Sequence, residues 1–169
     1  MNLYKICFYL IIGSILVSCS NKEIASEINL EEKIKVELNN SNIYYDDVIH
    51  YEVKDNFVIA FYTVTNQLFH SVFDISTGNP VFITGGGSLG QDGGIMTSGK
   101  NEDFPYYFSY LISNNPDVKL VEVNGMAAKN IVSNNFSFWV AFNKQLITEE
   151  NYTAYDNKGN EVKLIIREE

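Results

Sequence analysis

Phe57-Val58-Ile59-Ala60-Phe61-Tyr62-Thr63-Val64, a break at Thr65-Asn66, and then Gln67-Leu68-Phe69-His70-Ser71-Val72-Phe73-Asp74-Ile75 decide the fold of this chain. β-Branched and aromatic side chains fill both runs, each is of strand length, and the break is as short as a hairpin turn. In the second run Phe69, Phe73 and Ile75 alternate with His70, Val72 and Asp74, which predicts one face packed and the other in water. The same texture extends outward. Upstream, 48–53 is closed by Lys54-Asp55-Asn56; downstream, Ser76-Thr77-Gly78-Asn79 separates 67–75 from 81–84. Beyond a glycine-rich break follow 106–112, 118–123, 126–132, 136–142, 152–155 and 162–166. Asn124-Gly125 is the strongest hairpin signal, because a type I′ turn needs positive φ at both central residues. Asp156-Asn157-Lys158-Gly159 reads as another turn.

Ahead of the strands the period is helical. Asn29 with Glu32 three positions on reads as a capping box, Leu30, Ile34 and Leu38 share one face, and Asn39-Asn40 is a stop. The expected fold is therefore mainly β with a minor α component: an antiparallel β-sandwich or an open barrel-like sheet, with one short N-terminal helix. The halves on either side of the glycine-rich stretch are alike in strand content but share no repeat of residues.

Composition narrows the classes of function. The chain has 169 residues, 46% of them hydrophobic, and a net charge of -9 from 12 Lys plus Arg against 21 Asp plus Glu. Such acidity gives no long-range attraction to phosphate backbones, so nucleic acid is not an expected partner. Asn is abundant and Pro scarce, yet the hydrophobic content suffices for a core and excludes wholesale disorder.

Residues 1–18 read as a secretory signal: Lys5, then an apolar stretch broken by Gly13 and Ser14 and too short to span a bilayer. Its end, Leu16-Val17-Ser18-Cys19, resembles the lipobox of bacterial lipoproteins at every position. The resemblance implies cleavage between Ser18 and Cys19, a diacylglyceryl group on the Cys19 thiol, and an extracytoplasmic protein lipid-anchored to the outer face of the cell membrane. Cys7 would leave with the signal and Cys19 would become a thioether, so no thiol would remain for disulfides, metals or nucleophilic catalysis. Residues 19–29 then form a lipidated tether and 30–169 a single β-rich domain. Cleavage removes Lys5 and no carboxylate, taking the balance from -9 to -10.

Seven of the eleven glycines fall in 85–99. Gly85-Gly86-Gly87-Ser88-Leu89-Gly90 satisfies a dinucleotide-binding pattern, but Asp92-Gly93-Gly94 follows where a helix must begin. Gly94 to Asn101 approaches a P-loop, but Asn101 replaces the magnesium-binding hydroxyl and Pro105 opposes the helix. No nucleotide and no other cofactor is expected. The stretch reads instead as a long loop, with Gly85, Gly86, Gly87, Gly90 and Asp92 as a candidate binding loop.

His50 and His70 lie on different strands near Asp46, Asp47, Glu52 and Asp74, but a site would need a third ligand and the right pairing register, so no metal site is expected. A nucleophile elbow is absent, and Lys158 occupies a ligand position in the one calcium-like loop, 156–160. No catalytic residue is assigned. In Phe136-Ser137-Phe138-Trp139-Val140-Ala141-Phe142 the phenylalanines share a face, leaving Trp139 on the other. Two placements suit it: beneath the opposite layer, or outward as a candidate aromatic platform for a sugar or peptide.

Residues 57–62, 121–125 and 155–162 are similar to phrases in small uncharacterised β-rich lipoproteins of Gram-positive bacteria, a resemblance that implies no activity and no functional residue beyond Cys19. The expected function is a non-catalytic lipoprotein that presents its β domain to a protein or cell-wall component. The alternative is a carboxylate-based envelope glycan hydrolase. A solute-binding transporter subunit fits less well, since such proteins close two lobes around their ligand.

Overall fold

The computed structural model describes residues 29–165. Ser18, Cys19, the signal and all of the tether except Asn29 lie outside the described residues, as does the end of the run 162–166.

Helix α1, Leu30–Asn40, starts where the Asn29 side chain accepts the Glu32 N–H at 2.8 Å. It ends in a Schellman motif. Asn42 takes φ 55, its N–H donates to Asn39 O, and the Ile43 N–H donates to Leu38 O. Ile34 and Leu38 are fully buried, each contributing about 1.5–3 kcal/mol that ties the helix down; Leu30, the third residue of the expected stripe, is exposed.

The described strands form three antiparallel four-stranded sheets that are not closed into a barrel, so the sandwich expectation holds over the barrel. The first sheet is a meander of β1 (Asp47–Lys54), β2 (Phe57–Val64), β3 (Gln67–Asp74) and β4 (Val81–Leu89), in that order. The middle sheet has the order β5-β6-β10-β9, from Gly94–Ser98, Tyr107–Ile112, Phe136–Asn143 and Lys129–Ser133. The third has the order β12-β11-β7-β8, from Glu161–Val162, Tyr152–Tyr155, Leu120–Val123 and Met126–Ala127.

Three buried clusters show how these layers stack. Ile34 and Leu38 pack on Val58, Ala60, Tyr62 and Phe73, one face of the first sheet. Its other face brings Ile59, Phe61, Leu68 and Val72 against Phe108, Tyr110, Phe138 and Val140 of the middle sheet. The far side of the middle sheet, with Leu111 and Trp139, packs on Val121, Val123 and Ala154 of the third. This stacking corrects the reading of β3. His70 and Val72 are buried like Phe73, because the helix covers one face of β3 and the middle sheet covers the other.

Two further corrections come from places where the chain changes sheets. The run 126–132 is not one strand: β8 belongs to the third sheet and β9 to the middle one, and buried Ala128 makes the step. Nor is 85–99 a loop. Gly85, Gly86 and Gly87 lie within β4, and the chain turns at Gly90 to Gly93 into β5, crossing from the first sheet to the middle one. Glycine is needed there for close approach. A Cβ on Gly85 would stand 2.8 Å from Ser71 Oγ and 2.9 Å from His70 O, while Gly87, at φ +79, lies against Tyr110 and Met96. At the Asn124-Gly125 hairpin both φ values are positive, 52 and 72, as the dipeptide predicts.

Candidate functional site

The expected site residues do not gather. Gly85, Gly86, Gly87, Gly90 and Asp92 make the strand and turn of the β4–β5 corner, with Asp92 O accepting from the Asn114 side chain. The expected long loop is thereby corrected to a strand and a turn at a corner between sheets. Trp139 is 7% exposed and sits in the cluster between the middle and third sheets, so it is a core residue and no surface platform. His50 and His70 both pair with Phe61, from either side across β2. Among the described residues no group of three or more His, Cys, Asp or Glu is placed to hold a metal ion. The loop at 156–160 is a closed turn, in which Asp156 accepts from the backbone of Lys158 and from Asn160. Those hydrogen bonds, that of the Asn160 side chain first, hold its carboxyl below the usual carboxylate range.

A different site emerges on the opposite edge of the stack. Two adjoining hollows of about 430 and 240 Å³ share Lys54, Met126 and Phe142. Together they form a groove bounded by the end of β1, the end of β10 with the residues after it, and the β7–β8 hairpin. Pairing accounts for each wall. β1 is the edge of the first sheet, so no strand of that sheet lies beyond Glu52 and Lys54. β10 runs beyond its pairing with β9, which ends at Val140, and leaves Ala141, Phe142 and Asn143 covered on one side only, by β6. The tight turn at Asn124-Gly125 brings Met126 to the rim, where it is 50% exposed.

The groove is rich in hydrogen-bond donors. Lys54, Lys129 and Lys144 line it from three elements. Lys54 Nζ stands 5.3 Å from the centroid of the Tyr106 ring, a cation–π arrangement. The Tyr106 hydroxyl donates to Asp55, and that bond to a carboxylate, more than burial, raises the phenol above its ordinary value. Glu52 Oε2 accepts from Lys129 Nζ at 2.6 Å and lies 3.1 Å from His50 Nε2. Asn143 is 6% exposed; its Oδ1 accepts the Gln145 N–H at 2.9 Å, while its Nδ2 has no hydrogen-bond partner. The Nδ2 of Asn124, also in the groove, has none either. A buried donor left without an acceptor costs about 1–3 kcal/mol.

No family model, no curated protein and no solved structure matches this chain. Among the described residues no helix is long and apolar enough to cross a membrane.

Sequence reasoning missed this groove entirely. Lys54 reads as part of a turn, Lys129 falls inside the strand run 126–132, Lys144 follows the run 136–142, and Asn143 is one of twenty asparagines. The available signal was weak: a chain poor in cations that places three of them beside exposed ends of strands.

Proposed function

We propose that this chain is an extracytoplasmic lipoprotein, held on the outer face of the cell membrane by a diacylglyceryl group on Cys19, whose β domain binds a protein or cell-wall component in the groove beside β10. The anchor rests on the lipobox-like residues Leu16-Val17-Ser18-Cys19. Two or three acyl chains, at about 0.8 kcal/mol per buried CH₂, hold a protein durably on a bilayer, even one whose own charge is repelled by anionic headgroups. The observation that carries the binding reading is the groove: apolar surface at Phe142 and, on the rim, Met126, beside the ammonium groups of Lys54, Lys129 and Lys144. Apolar surface with a few convergent polar groups is what ligand sites offer.

Two measurements on intact cells test this. With a clickable fatty acid in the medium, the native chain is expected to take up label and stay with the membrane fraction, and Cys19→Ala to do neither. A photo-crosslinking residue at Met126 is expected to give a discrete adduct, whereas the same residue at exposed Val81, on the far edge of the first sheet, gives none. Membrane retention of Cys19→Ala with no label on either chain overturns the anchor. Equal adducts at the two positions, or hydrolysis of wall glycan by the purified protein, overturns the binding function.

A further inference from the structure

The chemistry of the groove also restricts what enters it. We infer that its ligand is an acidic peptide segment in which carboxylates flank an apolar side chain; this rests on the groove being the binding site.

Charge supports the acidic half. The protein carries -9 overall, yet Lys54, Lys129 and Lys144 converge here. Among the described residues every salt bridge involves Glu52, which takes Lys129, so the ammonium groups of Lys54 and Lys144 have no carboxylate partner. A ligand that brings oxygens with negative charge meets the ammonium groups of Lys54 and Lys144, and attraction across a locally cationic groove on an otherwise acidic surface gives selectivity against cationic ligands.

Shape and polarity support the peptide half. Polyol phosphates would meet the ammonium groups but leave the apolar surface of Met126 and Phe142 in water. Sugars stack on flat aromatic faces; of the two rings that line the groove, Tyr106 lies under Lys54 and meets Phe57, Phe104 and Phe142 at interplanar angles of 81°, 65° and 80°, and Phe142 packs on Phe108 as well. Met126 is half exposed and unbranched, suited to packing around an aliphatic or aromatic side chain of an extended peptide. Carboxylate and apolar side chain together match both sets of groups.

Fluorescence anisotropy on the full chain in a neutral detergent tests the inference. The probe is a fluorescein-labelled peptide of alternating Glu and Leu, compared with its Gln–Leu isostere. The Glu peptide is expected to bind about tenfold more tightly than the isostere at low salt, with the gap narrowing at high salt. The Lys54→Gln, Lys144→Gln double variant is expected to lose about tenfold for the Glu peptide with an unchanged melting profile, while Lys100→Gln, away from the groove, binds normally. Equal binding of the two peptides, binding of neither, or tighter binding of polyglycerol phosphate than of the Glu peptide overturns the peptide assignment. A cellular adduct at Met126 that persists through such a failure leaves the groove as a binding site and removes only the ligand class; loss of the adduct as well removes both.

Discussion

His50 and His70 stand in one cross-strand row of the first sheet, either side of Phe61, and their surroundings differ as the two edges of the stack differ. His70 is 4% exposed, pairs with Gly86 on β4, and packs against the rings of Phe108 and Tyr110 at 5.1 and 5.3 Å. His50, on edge strand β1, is half-buried and meets the carboxylate of Glu52. Toward β4 and β5 the chain crosses between sheets on glycines, so backbone and rings close the edge. Toward β1 and β9 the sheets are joined by side chains: Lys129 to Glu52, Ser133 Oγ to Ile49 O, and Asn134 to Asp47. The closed edge spends its special residues on packing, whereas the open edge holds polar groups at a surface where a ligand can reach them.

The sharpest way to break this comparison is to put a methyl group into the closed edge. Gly87→Ala must hold φ near +79 and place its Cβ against the Tyr110 hydroxyl and 2.8 Å from Met96 Cγ. Strain and overpacking together are expected to cost about 3 kcal/mol, read as a shift in urea midpoint. Gly99→Ala, with nothing within 4 Å of its Cβ, should stay within about 0.5 kcal/mol. If both variants match the parent, β4 and β5 do not meet through glycine, and the closed edge loses its explanation.

Acid probes the same edge through His70. Burial lowers its pKa from the ordinary 6.5 to about 4, with a hydrogen bond to the Gly86 backbone opposing the shift. On acidification the unfolded chain takes up the proton first, so this group's stability is complete above pH 6.5 and drains away as pH falls toward 4. Between pH 7 and about 4.5 the native chain should lose roughly 2–3 kcal/mol more than His70→Phe, measured as the difference in urea unfolding free energy. Parallel pH profiles for the two proteins would mean that water reaches His70 and that the edge is not closed.

What the sequence shows of all this follows from how local each cause is. The β-branched and aromatic run 57–64, the Asn29 cap and the Asn124-Gly125 turn are set by residues a few positions apart, and all three stand in the structure. The burial of both faces of β3 is not local: it needs α1 on one side and Phe108 and Tyr110 on the other. Glycine argues against a strand by propensity, so 85–87 reads as a loop until Tyr110 and Met96 supply the reason for the missing side chains. Trp139 stands out by its place in an alternating run, yet only the third sheet decides that it is core. The groove was least legible because Lys54, Lys129, Lys144 and Asn143 come together through sheet stacking and leave no spacing to read.

The mildest test falls on the open edge, and its smallness is informative. Lys129→Gln removes the cation from Glu52 but leaves His50 beside it. The Glu52 side chain is 12% exposed and that of Lys129 59%, so water screens the cation's end of the pair and the attraction is well below that of a dry ion pair. The expected cost is about 0.5–1 kcal/mol at low salt, fading at high salt, with the melting transition remaining cooperative. A loss near that of Gly87→Ala would mean that Lys129 and Glu52 clamp the two sheets together, making the open edge as structural as the closed one. A small loss leaves Lys129 free to exchange Glu52 for a ligand carboxylate at little cost to the fold, as a binding edge requires.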